Sequence, residues 1–282
     1  MSGLPKMFDL GDIDSQKWLI YSKVRRFPLS AGYWLEGTKL QRAEQRLARC
    51  FDLCTCTTKA ELETLDGFET GVASGWFPNG VDSEYFSPSA QVFDSEMISF
   101  VGRMDYFPNQ SAMHYFCEHV WPLLRDRRPG IKLQIVGANP AKHILALGNL
   151  PGVTVTGSVP DVRPFVHASV LTVAPLSIAR GTQNKILESM AMGVPVVCSR
   201  EASGGVDASP GHHLLVANRP DEYRDAILSL IENPDERDRL ARDGRERVLS
   251  HHDWGRSMEK FDQLVERCLS VAADRGPVAH DA

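Results

Sequence analysis

Residues 168–199 read ASVLTVAPLSIARGTQNKILESMAMGVPVVCS. An apolar run ending at Leu176 passes through a polar loop into a stretch of helical spacing. A Gly193-Val194-Pro195 turn then delivers a second apolar run. Two continuous apolar strands joined by a helix belong to a parallel sheet covered on both faces. Ligands of such sheets sit beyond the carboxyl ends of the strands, where this loop lies. The first amides of a helix have no internal partners and its dipole is positive there, so the mouth at Gly181, Thr182 and Gln183 favours an anion. Gly181, without a Cβ, lets the backbone approach a ligand closely. Lys185 and Glu188, three residues apart, share one helix face. The lysine can add charge to a diphosphate, and the carboxylate can accept hydrogen bonds from two hydroxyls. A surface ion pair is the plainer alternative for the two.

The same pattern extends outward. Residues 96–104 (EMISFVGRM), 130–138 (GIKLQIVGA) and 152–158 (GVTVTGS) are further Val- and Ile-rich runs, and HHLLVAN at 212–218 is strand-like. Helical stretches are expected over 109–127, 139–148, 161–168, 183–192, 219–232 and 234–249. Alternating strands and helices predict a doubly wound α/β domain. Arg103 follows the first of these strands, and its planar guanidinium suits phosphate oxygens. Gly102 and Gly137 end strands on the same edge, where lack of a side chain would leave room for a nucleotide.

The first 88 residues hold fewer elements: two or three strands and one amphipathic helix, with Leu40, Ala43 and Leu47 at helical spacing. The domains expected are therefore 1–88, a partial N-terminal domain with its linker, and 89–252, a Rossmann-like domain. A helix over 253–272 and a disordered tail over 273–282 complete the chain.

Composition excludes several classes. The chain has 282 residues, a net charge of −5 and 43% hydrophobic content, which gives no overall reason to expect nucleic acid. No apolar run reaches the roughly 18 residues of a membrane span, and the start lacks a signal-peptide core, so a cytoplasmic protein is expected. The six cysteines lack paired zinc spacing, and Cys54 and Cys56 are expected on one buried strand face. The nine histidines include no HExxH helix, so they are expected to be solvated or capping, and no metal is expected.

FPNGVDSEYFSP, FVGRM, LQIVG, VTGSVPDVRPFVHASVLTVAPL and GTQNKILESMAMGVPVV, in this order, resemble glycosyltransferase family 4. Within it, the chain is most similar to bacterial sugar transferases associated with exosortase and exopolysaccharide loci, over about residues 7–270. The resemblance implies the GT-B fold: one complete doubly wound Rossmann-like C-terminal domain facing an N-terminal one, here only a partial remnant. It implies a retaining transferase using a nucleotide-diphosphate sugar, without metal, with a glycan or lipid-linked acceptor. Peripheral contact with the inner membrane surface is a further expected partner. Glu188 matches the family's ribose-binding glutamate, and Asp161 lies in the loop near the base, with a carboxylate that can cap the next helix. Arg180 stands where many members have a glutamate that touches the donor sugar. It grips the β-phosphate, or the donor sugar is acidic, or activity is lost. Arg103 lacks the lysine that usually follows it, which leaves Lys185 as the substitute. KMFDLGDIDSQKWLIYSK resembles a stretch late in the family's N-terminal domain, so truncation, a bare apolar sheet face and self-association through an unpaired edge are expected. A nucleotide-sugar 2-epimerase and a non-catalytic nucleotide-sugar-binding remnant are the competing functions.

Overall fold

The computed structural model describes residues 4–274, which divide into two compact units. The first unit contains residues 4–79, 180–182 and 254–274, and the second contains 80–179 and 183–253.

In the first unit, β1 (Met7–Asp9), β2 (Leu53–Cys56) and β3 (Ala73–Trp76) form a parallel sheet in that order. Three helices lie between these strands: α1 (Asp14–Val24), α2 (Leu29–Ala48) and α3 (Lys59–Asp66). Sequence reading found only α2. The apolar residues of α1 run consecutively as Trp18-Leu19-Ile20, which hides the helical period. The start of α3 was legible: Thr58 and Glu61 have capping-box spacing, and the Thr58 hydroxyl accepts from the Glu61 amide at 3.1 Å. In α2, Leu47 faces solvent while Glu44 and Ala48 are buried, so the inward face is turned from the one expected.

Successive residues of a strand point to opposite faces, and β2 buries both. Cys54 packs with Ile13, Ala48, Leu65 and Phe68. Leu53 packs with Phe77, Leu264 and Cys268, the last two from the C-terminal helix Trp254–Asp274. Both sheet faces are therefore covered, contrary to the bare face expected. Burial pushes the free Cys54 and Cys56 thiols up to about 11 and about 12, which makes them unreactive. The C-terminal helix runs through Asp274; the rest of the expected tail lies outside the described residues.

The second unit carries a six-stranded, all-parallel sheet. Its strands are β4 (Asp94–Val101), β5 (Lys132–Val136), β6 (Val153–Gly157), β7 (Ser169–Ala174), β8 (Val196–Cys198) and β9 (Leu215–Val216). Their order is β6-β5-β4-β7-β8-β9, so successive strands step one way from β4 and then the other way from β7. The expected 109–127 helix is split into α4 (Phe107–Tyr115), a π-helical turn (Phe116–Val120) and α5 (Trp121–Arg127). Pro122 supplies the reason, since it cannot donate within the helix and its ring crowds the preceding turn. After β5 come α6 (Lys142–Leu145), a 3-10 turn (Ala146–Asn149) and, beyond β6, α7 (Arg163–His167). α8 (Asn184–Ala191) joins β7 to β8, and α9 (Arg200–Ser203), α10 (Pro220–Glu232) and α11 (Pro234–His251) follow. Ile186, Leu187, Met190 and Ala191 of α8 enter the same core as Ile98 and Phe100 of β4. Gln134, a polar residue inside β5, donates to Phe165 O at 2.7 Å and Ser169 Oγ at 2.9 Å, which satisfies it. His252, expected to be solvated or capping, does cap α11 but is buried.

Candidate functional site

In the second unit the strand order reverses between β4 and β7, and such a switch point opens a crevice at the carboxyl ends of the two strands. The turn after β4 carries Gly102 and Arg103. The connection after β7 leads into α8.

The start of α8 is open. Gln183 is its N-cap, yet no side chain caps it, and the Gln183 carbonyl accepts from Ile186 N at 2.9 Å. Among the described residues, the amides of Asn184 and Lys185 make no hydrogen bond. Two unpaired amides and the positive end of the dipole meet there.

Lys185 reaches back to the β4 turn. Its ammonium donates to Asn109 Oδ1 at 2.6 Å and lies 4.8 Å from the Phe100 ring centre. A Cβ built on Gly102 would come 2.8 Å from Asn109 Nδ2 and 3.1 Å from Lys185 Nζ. The missing side chain at Gly102 therefore makes room for this ammonium. Burial holds Lys185 down at about 8, opposed by the nearby Glu188 charge. Glu188, one turn further on, is half-buried. Its carboxylate accepts no hydrogen bond among the described residues, and burial raises its pKa against the pull of Lys185. A desolvated carboxylate with its acceptor positions open can bind hydroxyl donors.

Gly137 has a different purpose from the one expected. Its Cβ would fall 1.8 Å from the Gly102 carbonyl oxygen, so that space is taken by backbone and not by a ligand. Arg103 is exposed and paired with Asp105, at 3.1 Å from Nε to Oδ1 and 2.7 Å from Nη2 to Oδ2. Asn139, held at a φ of 56°, donates to the same Asp105 at 3.0 Å. Arg103 and Asn139 together hold Asp105 down at about 2. Exposed pairs of this kind hold weakly, so a phosphate can recruit Arg103. Asp161 is occupied by its neighbour. One oxygen accepts from the amide of Arg163, the first residue of α7, at 2.9 Å, although the N-cap of α7 is Val162 with no side-chain cap, and the guanidinium of Arg163 closes on the carboxylate at 2.7 Å.

Arg180, Gly181 and Thr182 belong to the first unit. Here the structure corrects the reading of Arg180 as a phosphate grip. Its Nε lies 2.9 Å from Glu61 Oε1, and Nη2 donates to Glu61 Oε2 at 3.0 Å and Thr64 Oγ1 at 3.2 Å. Glu61 is 1% exposed and also accepts from the amides of Ile13 and Gly181, at 3.1 and 3.3 Å. Burial raises the Glu61 pKa, and Arg180 and these amides draw it back. Gly181 has a φ of 63°, and a Cβ there would lie 2.0 Å from Asp12 Oδ1. Its glycine identity thus serves the fold, in addition to any ligand. The Thr182 hydroxyl is buried and makes no hydrogen bond among the described residues.

Sequence reasoning missed Asn109, Asp105, Asn139 and Glu61. Asp105, two residues after Arg103, had a visible signal. Glu61 lies 119 residues from Arg180 and had none. Among the described residues, no group of three or more His, Cys, Asp or Glu could hold a metal ion.

The whole switch-point constellation falls inside one stretch that compares with known proteins. Residues 95–233 match the family of glycosyl transferases group 1. Solved structures extend the likeness. Sucrose-phosphate synthase from Thermosynechococcus elongatus is 17% identical with a TM-score of 0.74, covering 94% of this chain and 68% of its own. HepE of Anabaena, solved with UDP and glucose, is 16% identical at a TM-score of 0.70, covering 94% of this chain and 72% of its own. The pneumococcal O-GlcNAc transferase GtfA, solved with UDP and GlcNAc, is 13% identical at 0.66, covering 82% of this chain and 48% of its own. The fold is the α/β fold of GT-B glycosyltransferases. Comparison with curated proteins found no match.

Proposed function

We propose that this chain is a retaining hexosyltransferase that moves a sugar from a nucleoside-diphosphate sugar to a glycan or lipid-linked acceptor in cell-surface polysaccharide synthesis. One observation carries the reading: Glu188 keeps an unpartnered, desolvated carboxylate one helical turn beyond the open amides of α8 and the Lys185 ammonium. A diphosphate at the helix mouth and a ribose diol at the carboxylate match that spacing. The lysine, the α8 amides and a recruited Arg103 would stabilise the departing nucleoside diphosphate by charge, so no metal is required. UDP, bound by HepE and GtfA, is the first ligand to test.

Glu188→Ala is expected to weaken UDP binding by about 1.5–3 kcal/mol, the range for hydrogen bonds to a charged group. Calorimetry measures it, and undiminished affinity in a folded variant would remove Glu188 from the site. Turnover is read as UDP release dependent on an added acceptor, with and without EDTA. UDP binding with no transfer to any acceptor would favour the non-catalytic remnant, and isomerisation of the sugar would favour the epimerase.

The Lys185 titration gives a second expectation. The diphosphate needs the charged ammonium, so UDP affinity should fall as pH rises through about 8. The ligand-free fold should respond with the opposite sign. Its Lys185 titrates at about 8 against an ordinary 10.5, so the unfolded state binds more protons between these values and stability rises with pH across that window. Lys185→Arg, which stays charged, should flatten both profiles in calorimetry and in urea melts. A pH-independent affinity in the unsubstituted chain would exclude the lysine from phosphate binding.

A further inference from the structure

Lys185 and Glu188 lie one turn apart on α8, the spacing at which a cation and a carboxylate ordinarily pair. Among the described residues no ion pair joins them. A direct pair would occupy both groups at once: the ammonium that a phosphate needs and the carboxylate that a diol needs. The ammonium is held elsewhere.

Asn109 of α4 holds it. Its Oδ1 accepts from Lys185 Nζ at 2.6 Å, and its Nδ2 donates to Arg103 O at 2.9 Å. An ammonium only donates and a carbonyl only accepts, so the two partners fix which end of the amide faces which. Asn109 is 5% exposed, and its backbone N donates to Tyr106 O at 3.1 Å, which leaves the side chain little room to turn. Its neutrality matters as much as its place. A carboxylate at this position would cancel the lysine charge, whereas an amide accepts the hydrogen bond and leaves that charge for a ligand. The Phe100 face, 4.8 Å from the ammonium, attracts it without neutralising it. Through Arg103 O, the same amide ties Lys185 to the turn that carries Arg103. We propose that Asn109 is a positioning residue that holds the Lys185 ammonium against the β4 turn and off Glu188. One helix face can then offer a cation to a diphosphate and a free carboxylate to a ribose diol. This role rests on the nucleotide site proposed above, although its first test requires no ligand.

NMR of the full chain with isotope-labelled lysine follows the Lys185 titration, its signal assigned by loss in Lys185→Arg. The midpoint in the unsubstituted chain should lie at about 8. In Asn109→Ala the freed ammonium should swing to Glu188, and an opposite charge in contact should move the midpoint up. Adding Glu188→Gln should abolish that rise. Calorimetry near neutral pH carries the test to the ligand. Asn109→Ala should weaken UDP and uridine binding each by about tenfold or more. Uridine has no phosphate, so its loss reports capture of Glu188 by Lys185. Asn109→Ala/Lys185→Met removes the captor and should recover uridine affinity but not UDP affinity, a pattern that lost packing would not give. Asn109→Asp, close in size, should keep the ammonium in place as an ion pair, preserving uridine affinity while lowering UDP affinity. Circular dichroism checks that each variant is folded. An unmoved lysine midpoint in Asn109→Ala, uridine affinity that Lys185→Met fails to restore, or undiminished UDP affinity in Asn109→Asp would overturn the role. An unsubstituted chain that binds no UDP, with the lysine titrations as expected, would sink the nucleotide reading and leave the positioning of Lys185 standing.

Discussion

Glu61→Ala is expected to destabilise the first unit by about 3–5 kcal/mol, the range for removing one member of a buried ion pair. The substitution strips the acceptor from Arg180 and from the amides of Ile13 and Gly181 at once. Arg180 is 24% exposed, so water relieves part of the loss and the lower end of the range applies. Urea denaturation gives the magnitude. Hydrogen exchange should place it in the first unit, with faster exchange around β1, α1 and α3 and little change around β4 and β5. Arg180→Ala should also be costly, since it leaves the nearly inaccessible carboxylate with amides alone. Glu61→Gln, which retains an acceptor oxygen, should cost less than Glu61→Ala. A loss below about 1 kcal/mol for both alanine variants would mean that the pair behaves as a solvated surface pair.

Gly137→Ala should cost about 3 kcal/mol or more, the upper range for overpacking. The added carbon would lie 1.8 Å from Gly102 O, and neither side of that contact is a side chain that can turn away. Gly102 N donates to Val136 O at 3.0 Å and Gly137 N to Gly157 O at 3.3 Å, so relief requires pulling apart strands β4, β5 and β6. Gly102→Ala provides the contrast. Its new carbon would meet the ends of the Asn109 and Lys185 side chains, which can swing aside. Stability should change little there, while UDP affinity should fall because the ammonium is displaced. Melting and calorimetry on the two variants separate packing from binding. Equal melting losses would show that Gly102 is also a packing glycine.

The second unit was largely legible in the sequence because its signals are local. Val- and Ile-rich runs marked β4 to β8 within about three residues, and the glycine-led loop, Lys185 and Glu188 lay on eight consecutive positions, Gly181 to Glu188, around the start of α8. Helical period alone put Lys185 and Glu188 on one face. The first unit was less legible because α1 lacks an amphipathic period and the sheet gains a cover from Leu264 and Cys268, far along the chain.

From the sequence alone came the parallel α/β class and the placing of Lys185 and Glu188 on one face at the start of a helix. These follow from strand hydrophobicity, helix geometry and short spacing. Which charges remain available was decided only in three dimensions. Arg180 and Lys185 sit five residues apart, yet Glu61 engages the first as an ion pair, while the second donates to the neutral Asn109, lies over the Phe100 face and feels the Glu188 charge without a direct ion pair. A side chain's charge is written in the sequence. Whether another group neutralises it depends on residues 76 or 119 positions away, which only the folded chain brings within hydrogen-bonding distance.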